Sequence, residues 1–423
     1  MCRRRPSEPV RGHARARGSP AVLARHGASQ GGGSERYLEE VGAGLARRGV
    51  KVTLRTAGYP GAPREETVDG VRIVRGGGRL TVYPRALGAI LAGRVGLGPL
   101  AGLRPDAVVD TQNGIPFFSR VVAGAPVTVL VHHCHREQWP VAGRLMGHVG
   151  WWIESWLSPR VHRDSQYLTV SLPSADELTD LGVERDRIAV VRNGADAIPA
   201  GVEPGDDATR TPHPSVCVLS RLVPHKQIED ALAAVAQLRR TIPELHLDVI
   251  GGGWWEQNLR ERAYELGIGD AVTFHGHVPE PRKHELLARS WVHVMPSRKE
   301  GWGLAVIEAA QHGVPTVGYR SSKGLTDSII DGVTGLLVGG DAVADQAAAV
   351  PALASAVESL LLDAELRADL GRKARLRANE FSWEQTASGV YAVLASSAAG
   401  RHVSGLISGV EAATTPSPGL QDA

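Results

Sequence analysis

The 423-residue chain is long enough for two domains of ordinary size, and its 43% hydrophobic content can fill two cores although only 5% is aromatic. A net charge of +2 offers no bulk attraction to nucleic acid, and Cys2, Cys134 and Cys217 lie too far apart for a pair or a metal spacing, as in a reducing compartment. No apolar run approaches a membrane span, since the best, 86–103, is broken by Arg94 and five glycines, and no apolar core follows the basic N-terminus, so a cytoplasmic protein is expected.

Residues 1–20, with six arginines and little apolar content, read as a disordered basic arm. A very short strand at 21–24 runs into a glycine-rich turn through Gly31, Gly32 and Gly33. Ser34 suits the N-cap of an amphipathic helix built on Tyr37, Leu38, Val41 and Leu45 and ending at Gly49. Strand, glycine turn and helix open a Rossmann-like unit, but G-x-G-x-x-G is absent, so a dinucleotide is not indicated. Further strands are expected at 50–56, 68–74, 106–110, 127–132, 167–171 and 188–191, with a helix at 86–103. Ser174 and Glu177 have the spacing of a capping box. Trp151, Trp152 and Trp156 read either as helix packing against this sheet or as an interfacial surface for meeting a lipid-linked acceptor.

Residues 199–214 hold Pro199, Pro204, Pro212 and Pro214 and form the clearest linker. They divide a first domain, 21–198, from a second, 215–380. The second repeats the alternation, with strands at 216–219, 245–250, 272–275, 291–295, 314–319 and 336–338 between helices. Phe381-Ser382-Trp383-Glu384 opens a last helix, 381–398, and 399–423 reads as a disordered tail. The fold class is therefore α/β, with two parallel, helix-covered sheets whose ligands lie at the carboxyl ends of the strands, in the cleft between the halves.

The stretch 291–319 carries the strongest chemistry. Glu300 precedes a loop-to-helix turn at Gly303 and Leu304, and Glu308 lies on the second helical turn. Unpaired N–H groups at that turn suit a phosphate, whereas the two carboxylates suit hydroxyls on either side of it. Arg221 and Lys226 follow the first strand of the second half, where two fixed cations would clamp a diphosphate.

The pattern Glu300-Gly-Trp-Gly-Leu-Ala-Val-Ile-Glu308 resembles that of retaining family 4 glycosyltransferases of the GT-B fold (group 1). Other motifs agree in order: Gly32-Gly33-Ser34-Glu35-Arg36-Tyr37, Arg192-Asn193-Gly194-Ala195-Asp196, Ser220 to Lys226, Phe274-His275-Gly276-His277-Val278, Asp331-Gly332-Val333-Thr334-Gly335 and Phe381-Ser382-Trp383. The resemblance covers about residues 21–396 and implies two Rossmann-like domains facing across a cleft, with the last helix crossing back to the first. It implies transfer of a hexosyl unit from a nucleoside-diphosphate sugar to an acceptor that stays unidentified, with no cofactor and no metal ion. Arg221 and Lys226 would hold the diphosphate, Glu300 the transferred sugar and Glu308 the ribose. Gly303 and Leu304 would offer backbone N–H groups, Gly276, His277 and Val278 would line the base pocket, and Gly33 would let the first domain's loop approach the donor.

The family also has a histidine near the sugar at the end of a first-domain strand. His132 fits it best, with His133 the alternative in register. The run His132-His133-Cys134-His135 also suggests a metal site, but side chains at a strand end alternate in direction and do not all converge. Two alternatives stand beside transfer: a non-catalytic GT-B nucleotide-sugar-binding protein, suggested by the short first strand, and a GT-B sugar-nucleotide epimerase. Peripheral contact with the inner face of a membrane is compatible with each.

Overall fold

Twice along the chain, short buried strands alternate with amphipathic helices, and the computed structural model shows each alternation closing into one sheet. It describes residues 21–23, 33–78, 80–139, 143–206, 208–340 and 346–408. The basic arm 1–20 and the glycine turn 24–32 lie outside them.

The first half holds β1 (Ala21–Leu23), α1 (Gly33–Arg47), β2 (Thr53–Thr56), β3 (Glu65–Val68), β4 (Val71–Arg75) and α2 (Val82–Arg94). Then come β5 (Val108–Gln112), β6 (Val127–Val131), α3 (Arg144–Trp152), α4 (Ser158–Val161), β7 (Gln166–Thr169), α5 (Leu172–Asp180) and β8 (Ile188–Val190). The second half begins with β9 (Ser215–Leu219), α6 (Ile228–Leu238), β10 (His246–Ile250), α7 (Glu256–Glu265), β11 (Val272–Gly276), α8 (Glu280–Arg289) and β12 (Val292–Met295). It continues through α9 (Leu304–Gln311), β13 (Thr316–Tyr319), α10 (Leu325–Ser328), β14 (Gly335–Val338), α11 (Gln346–Leu362) and α12 (Ala364–Ala378). Helix α13 (Trp383–Ala398) and β15 (Gly405–Leu406) return to the first half.

The first sheet has the order β15-β8-β7-β6-β5-β1-β2-β4-β3, and the second β11-β10-β9-β12-β13-β14. Every neighbouring pair is parallel except the β3–β4 hairpin. Strands β5 and β6 are buried along their whole length, as parallel strands covered on both faces must be. Although only three residues long, β1 pairs with both β2 and β5 in the middle of its sheet, so the thin first strand still completes the domain. One apolar core spans both halves: Tyr37, Leu45, Leu130 and Leu168 share it with Trp302, Val306, Trp383 and Val393. Among the described residues, no helix is long and apolar enough to cross a membrane.

The turn after β8 joins the two halves. Arg192 makes a two-pronged ion pair with Asp327, Nε–Oδ2 2.9 Å and Nη2–Oδ1 2.8 Å. Asp196 accepts from Arg36 of α1 and from the Trp383 indole, while its carbonyl accepts from Gln311 of α9. Between them, Gly194 lies so close to the start of α13 that an added Cβ would sit 2.2 Å from the Trp383 nitrogen. Backbone cannot yield as a side-chain tip can. Gly194→Ala is therefore expected to destabilise the fold by about 1–3 kcal/mol, read as a lower midpoint in urea with an unchanged slope.

Several local expectations shift. Ser34 lies inside the first turn of α1 rather than ahead of it. The N-cap of α5 is Ser171, whose hydroxyl accepts from the Ser174 N–H, not Ser174 itself. Pro173 explains this, because it needs no N–H partner and belongs in a first helical turn. Strand 68–74 resolves into β3 and β4 around Asp69-Gly70, both at positive φ, the two-residue turn that a hairpin favours. Residues 400–408, read as part of a disordered tail, instead pair with the free edge of β8: Ile407 N donates to Val190 O at 2.8 Å, and the Gln166 side chain bonds both polar backbone atoms of Val403. Trp152 and Trp156 do not pack on the sheet; both are exposed.

Candidate functional site

Because every strand but β3 runs the same way within its sheet, the loops after those strands open at one edge of each sheet, and the two edges meet. Ser174 Oγ donates to the carbonyls of His132 (3.1 Å) and Gly301 (3.4 Å), one from each half. Lys299 pairs with Glu177 of α5, and Lys323 lies 3.6 Å from the same carboxylate. The cleft therefore has the loop 297–303 on one side and the end of β6 on the other.

On the second-half side, Lys226 pairs with Glu300, and both side chains are largely buried. The segment that carries Arg221 and Lys226 is held flat by glycine. Leu222 N donates to Gly252 O at 3.0 Å, and a Cβ on Gly251 or Gly253 would meet the Ser220 or Leu222 carbonyl near 2 Å (2.0 and 2.1 Å). Arg221 stays exposed. Loop 297–303 is laced to 320–324 through Glu300 N to Ser322 O at 3.3 Å, and Gly324 leaves no room for a Cβ beside the Glu300 carbonyl. Trp302, almost wholly buried, packs edge-on to Phe381 at 4.9 Å and so ties this loop to the start of the crossover helix.

Gly303 caps α9 at φ 98°, with an added Cβ only 2.9 Å from Leu325 Cδ2, so glycine alone lets the chain turn into the helix here. Its N–H and that of Leu304 start α9, where the dipole is positive. Glu308 lies one turn further along, largely buried, and pairs with Lys283 Nζ at 2.6 Å. Lys283 also reaches Glu280 at 2.6 Å; burial lowers its pKa, but the charges and hydrogen bonds of Glu308 and Glu280 together outweigh burial and raise it. Gly276 ends β11 at φ 65°, with its carbonyl accepting from Gly251 N at 2.9 Å; His277 is exposed and Val278 half-buried. The structure thus brings Arg221, Lys226, Glu300, Gly303, Leu304 and Glu308 to one sheet edge, with Gly276, His277 and Val278 on the outer strand of the same edge. Gly33, exposed at the start of α1, belongs to the first half, and the turn before it lies outside the described residues.

The histidine turn divides as alternation requires. The His132 ring packs edge-on against Tyr37 at 5.0 Å, and Tyr37 against Trp383 at 6.2 Å. His133 points the other way: an added Cβ on Gly301 would lie 3.4 Å from its Nδ1, and the Gln138 amide lies 2.9 Å from its Nε2. Burial first, then the charges of His135, His132, Lys299 and Lys226, push His133 well below the usual histidine range. Burial pushes His132 down to about 4. Both rings are neutral at pH 7 and can exchange hydrogen bonds without adding charge to the cleft. Glu154 Oε1 takes His135 Nδ1 at 3.2 Å and Oε2 the Trp139 indole at 2.6 Å, so this buried carboxylate fixes the turn. Among the described residues no group of three or more His, Cys, Asp or Glu side chains converges as metal ligands would.

Sequence profiles agree with this geometry over most of the chain. The profile "Glycosyltransferase Family 4" matches residues 31–197, and "Glycosyl transferases group 1" matches 205–377. The chain belongs to the family 4, group 1 glycosyltransferases. It is 34% identical over 238 residues to a glycogen synthase of Mycobacterium tuberculosis, an alignment covering 56% of this chain and 54% of that protein. The chain spans about half the length of the first curated relatives it matches. The GT-B fold is that of sucrose-phosphate synthase from Thermosynechococcus elongatus, with TM-score 0.71 at 22% identity over 88% of this chain and 96% of that one. Anabaena HepE, solved with UDP and glucose, superposes with TM-score 0.67 at 16% identity over 90% and 100%.

Three features escape sequence reasoning. Lys283 pairs with Glu308 from another helix, Lys299 reaches Glu177 across the cleft, and Glu154 sits inside a helix that looks apolar outward.

Buried neutral histidines also make stability depend on pH. Burial pushes His132, His162, His225 and His284 down to about 4, and His293 and His312 to about 3. Each binds a proton less tightly folded than unfolded, so the unfolded chain gains protons first as pH falls below about 6.5. Asp110, pushed up to about 6 by burial, acts oppositely, since its protonation favours the fold. Several histidines outweigh one carboxyl. The melting temperature is expected to hold above pH 7 and to fall steadily between pH 6.5 and about 4, by scanning calorimetry in buffers of equal ionic strength. A flat profile over that window would contradict the buried neutral state.

Proposed function

We propose that the chain is a retaining, metal-independent glycosyltransferase that moves a hexosyl unit from a nucleoside-diphosphate sugar to an acceptor hydroxyl. The observation that carries this reading is the Lys226–Glu300 pair at the cleft edge, beside Arg221 and the Gly303 helix start. In it the diphosphate lies between the Arg221 and Lys226 cations and the N–H groups of Gly303 and Leu304, while Glu300 turns to the sugar hydroxyls. Glu308, oriented by Lys283, takes the ribose, and the backbone of 276–278 meets the base. His133 is the first-domain imidazole assigned to the sugar, in place of the His132 favoured by sequence, because its ring faces Gly301.

As the bond from the sugar C1 to the phosphate oxygen breaks, the acceptor oxygen bonds C1 from the same face, and its proton passes to the departing phosphate oxygen. No carboxylate need form a covalent intermediate, and the protein cations take the charge that develops on the leaving group. The UDP and glucose bound to HepE, a protein of the same fold, support a donor of this class.

Thermal-shift measurements with UDP-, GDP- and ADP-sugars are expected to find one donor that raises the melting temperature by mass action. Proton NMR of the product with that donor should then show the anomeric configuration kept, with turnover insensitive to EDTA. An inverted anomer, or loss of turnover in chelator, would refute the corresponding part.

A further inference from the structure

The helix over the His133 turn is built inside out. In α3 and the π-helical turn Ile153–Leu157 that continues it, the face packed on the domain consists of Gly147, Gly150, Glu154 and Ser158. Gly150 has no room for a Cβ, which would lie 2.2 Å from the Trp139 ring. The opposite face carries Leu145, Met146, Val149, Trp152 and Trp156, from 77% exposed at Leu145 to 44% at Trp156. A helix of a water-soluble domain normally turns such residues inward, and so large an apolar stripe marks a contact surface.

The chemistry around the stripe selects the contact. The Trp152 and Trp156 rings stack at 5.1 Å, and the Arg160 guanidinium lies 4.3 Å over Trp156. Arg144, Arg160 and Arg163 are exposed at the two ends of the segment, and its one carboxylate from 143 to 163, Glu154, is turned inward. Asp164, just beyond, is engaged by Arg163 at 3.6 Å and Arg120 at 3.7 Å. Tryptophans flanked by arginines suit the boundary between acyl chains and anionic headgroups. A second copy of the chain fits poorly, because a two-fold interface through this stripe would bring the same arginines face to face.

We infer that α3 and its π-helical continuation seat the protein on an anionic phospholipid surface. The inner face of the same segment fixes the His133 turn through Glu154, so the seat and the first-domain wall of the cleft move as one body. The seat does not depend on the donor reading, since binding to vesicles requires no turnover.

The test is co-sedimentation of the whole chain with vesicles of phosphatidylcholine alone and of phosphatidylcholine mixed with phosphatidylglycerol, at low and high salt. The wild type is expected to partition onto the mixed vesicles, more weakly at high salt. The double variant Trp152→Ser/Trp156→Ser and the charge reversal Arg144→Glu/Arg160→Glu are each expected to lower that partition about tenfold or more. The charge reversal leaves the packed face of Gly147, Gly150, Glu154 and Ser158 untouched and decides the matter if the tryptophan variant fails to fold. Equal partition of the folded variants and the wild type, or no partition of the wild type, overturns the inference. So does a wild-type dimer that the tryptophan variant converts to monomer, which would assign the stripe to a second copy.

Discussion

Lys226→Ala is expected to lower kcat/KM for the donor by about 10²–10³-fold, with most of the loss in kcat. Lys226 is held by Glu300 in a largely buried pair, so its charge is already in place before the donor arrives. A cation so placed gains most when negative charge gathers on the departing diphosphate, which is why kcat should fall more than KM rises. The substitution has a second consequence. Without Lys226 the Glu300 carboxylate is left uncompensated beside the phosphates, repelling them in the ground state as well. Glu300→Gln separates the two effects: it keeps a hydrogen-bonding group for the sugar and removes the repulsion. Steady-state kinetics of Lys226→Ala, Glu300→Gln and the double variant should therefore show strong non-additivity, the double variant losing less than the product of the two singles. An unchanged kcat in Lys226→Ala would remove Lys226 from the reaction.

What was legible in the sequence followed from local pattern. The buried strands of the second sheet, the glycine that turns the chain into α9 and the Glu300–Glu308 spacing each leave a signal within a few residues. Helix α13 announced its own start, since Ser382 and Gln385 form a full capping box. The rest depended on pairs distant in the chain. Lys299 and Glu177 are 122 residues apart, and nothing near either one marks the other. The tryptophan helix misled for a different reason. Its apolar stripe has the right period for a core, but the glycines on the opposite face made the close packing, and periodicity alone does not say which face is inside. The histidine turn carries a similar ambiguity in sequence, because one residue's shift exchanges cleft and core.

Arg192→Ala should cost about 2–4 kcal/mol of stability and loosen the two halves from one another. Asp327 is nearly buried, and Arg192 holds both of its oxygens from the other half of the molecule. Removing the guanidinium leaves a buried carboxylate with a full charge and no two-pronged donor, so most of the cost is the stranded partner rather than the lost bond. Arg377 donates to the Asp327 carbonyl at 2.8 Å, not to its carboxylate, and does not replace what is lost. The companion substitution Asp327→Asn should therefore recover part of the loss in the double variant, because a neutral amide is cheaper to bury than an unpaired charge. Denaturant melts of the two single variants and the double variant would give the coupling directly. The same turn carries Asp196 and Gly194 against α13, so the clamp and the crossover hold one hinge. If Arg192→Ala unfolds in a single transition at the wild-type midpoint, the pair contributes nothing to holding the cleft. A lowered midpoint that Asp327→Asn partly restores is the result expected of a clamp between the halves, and donor affinity should fall with it, because the loop 297–303 meets the end of β6 only while the halves stay in register.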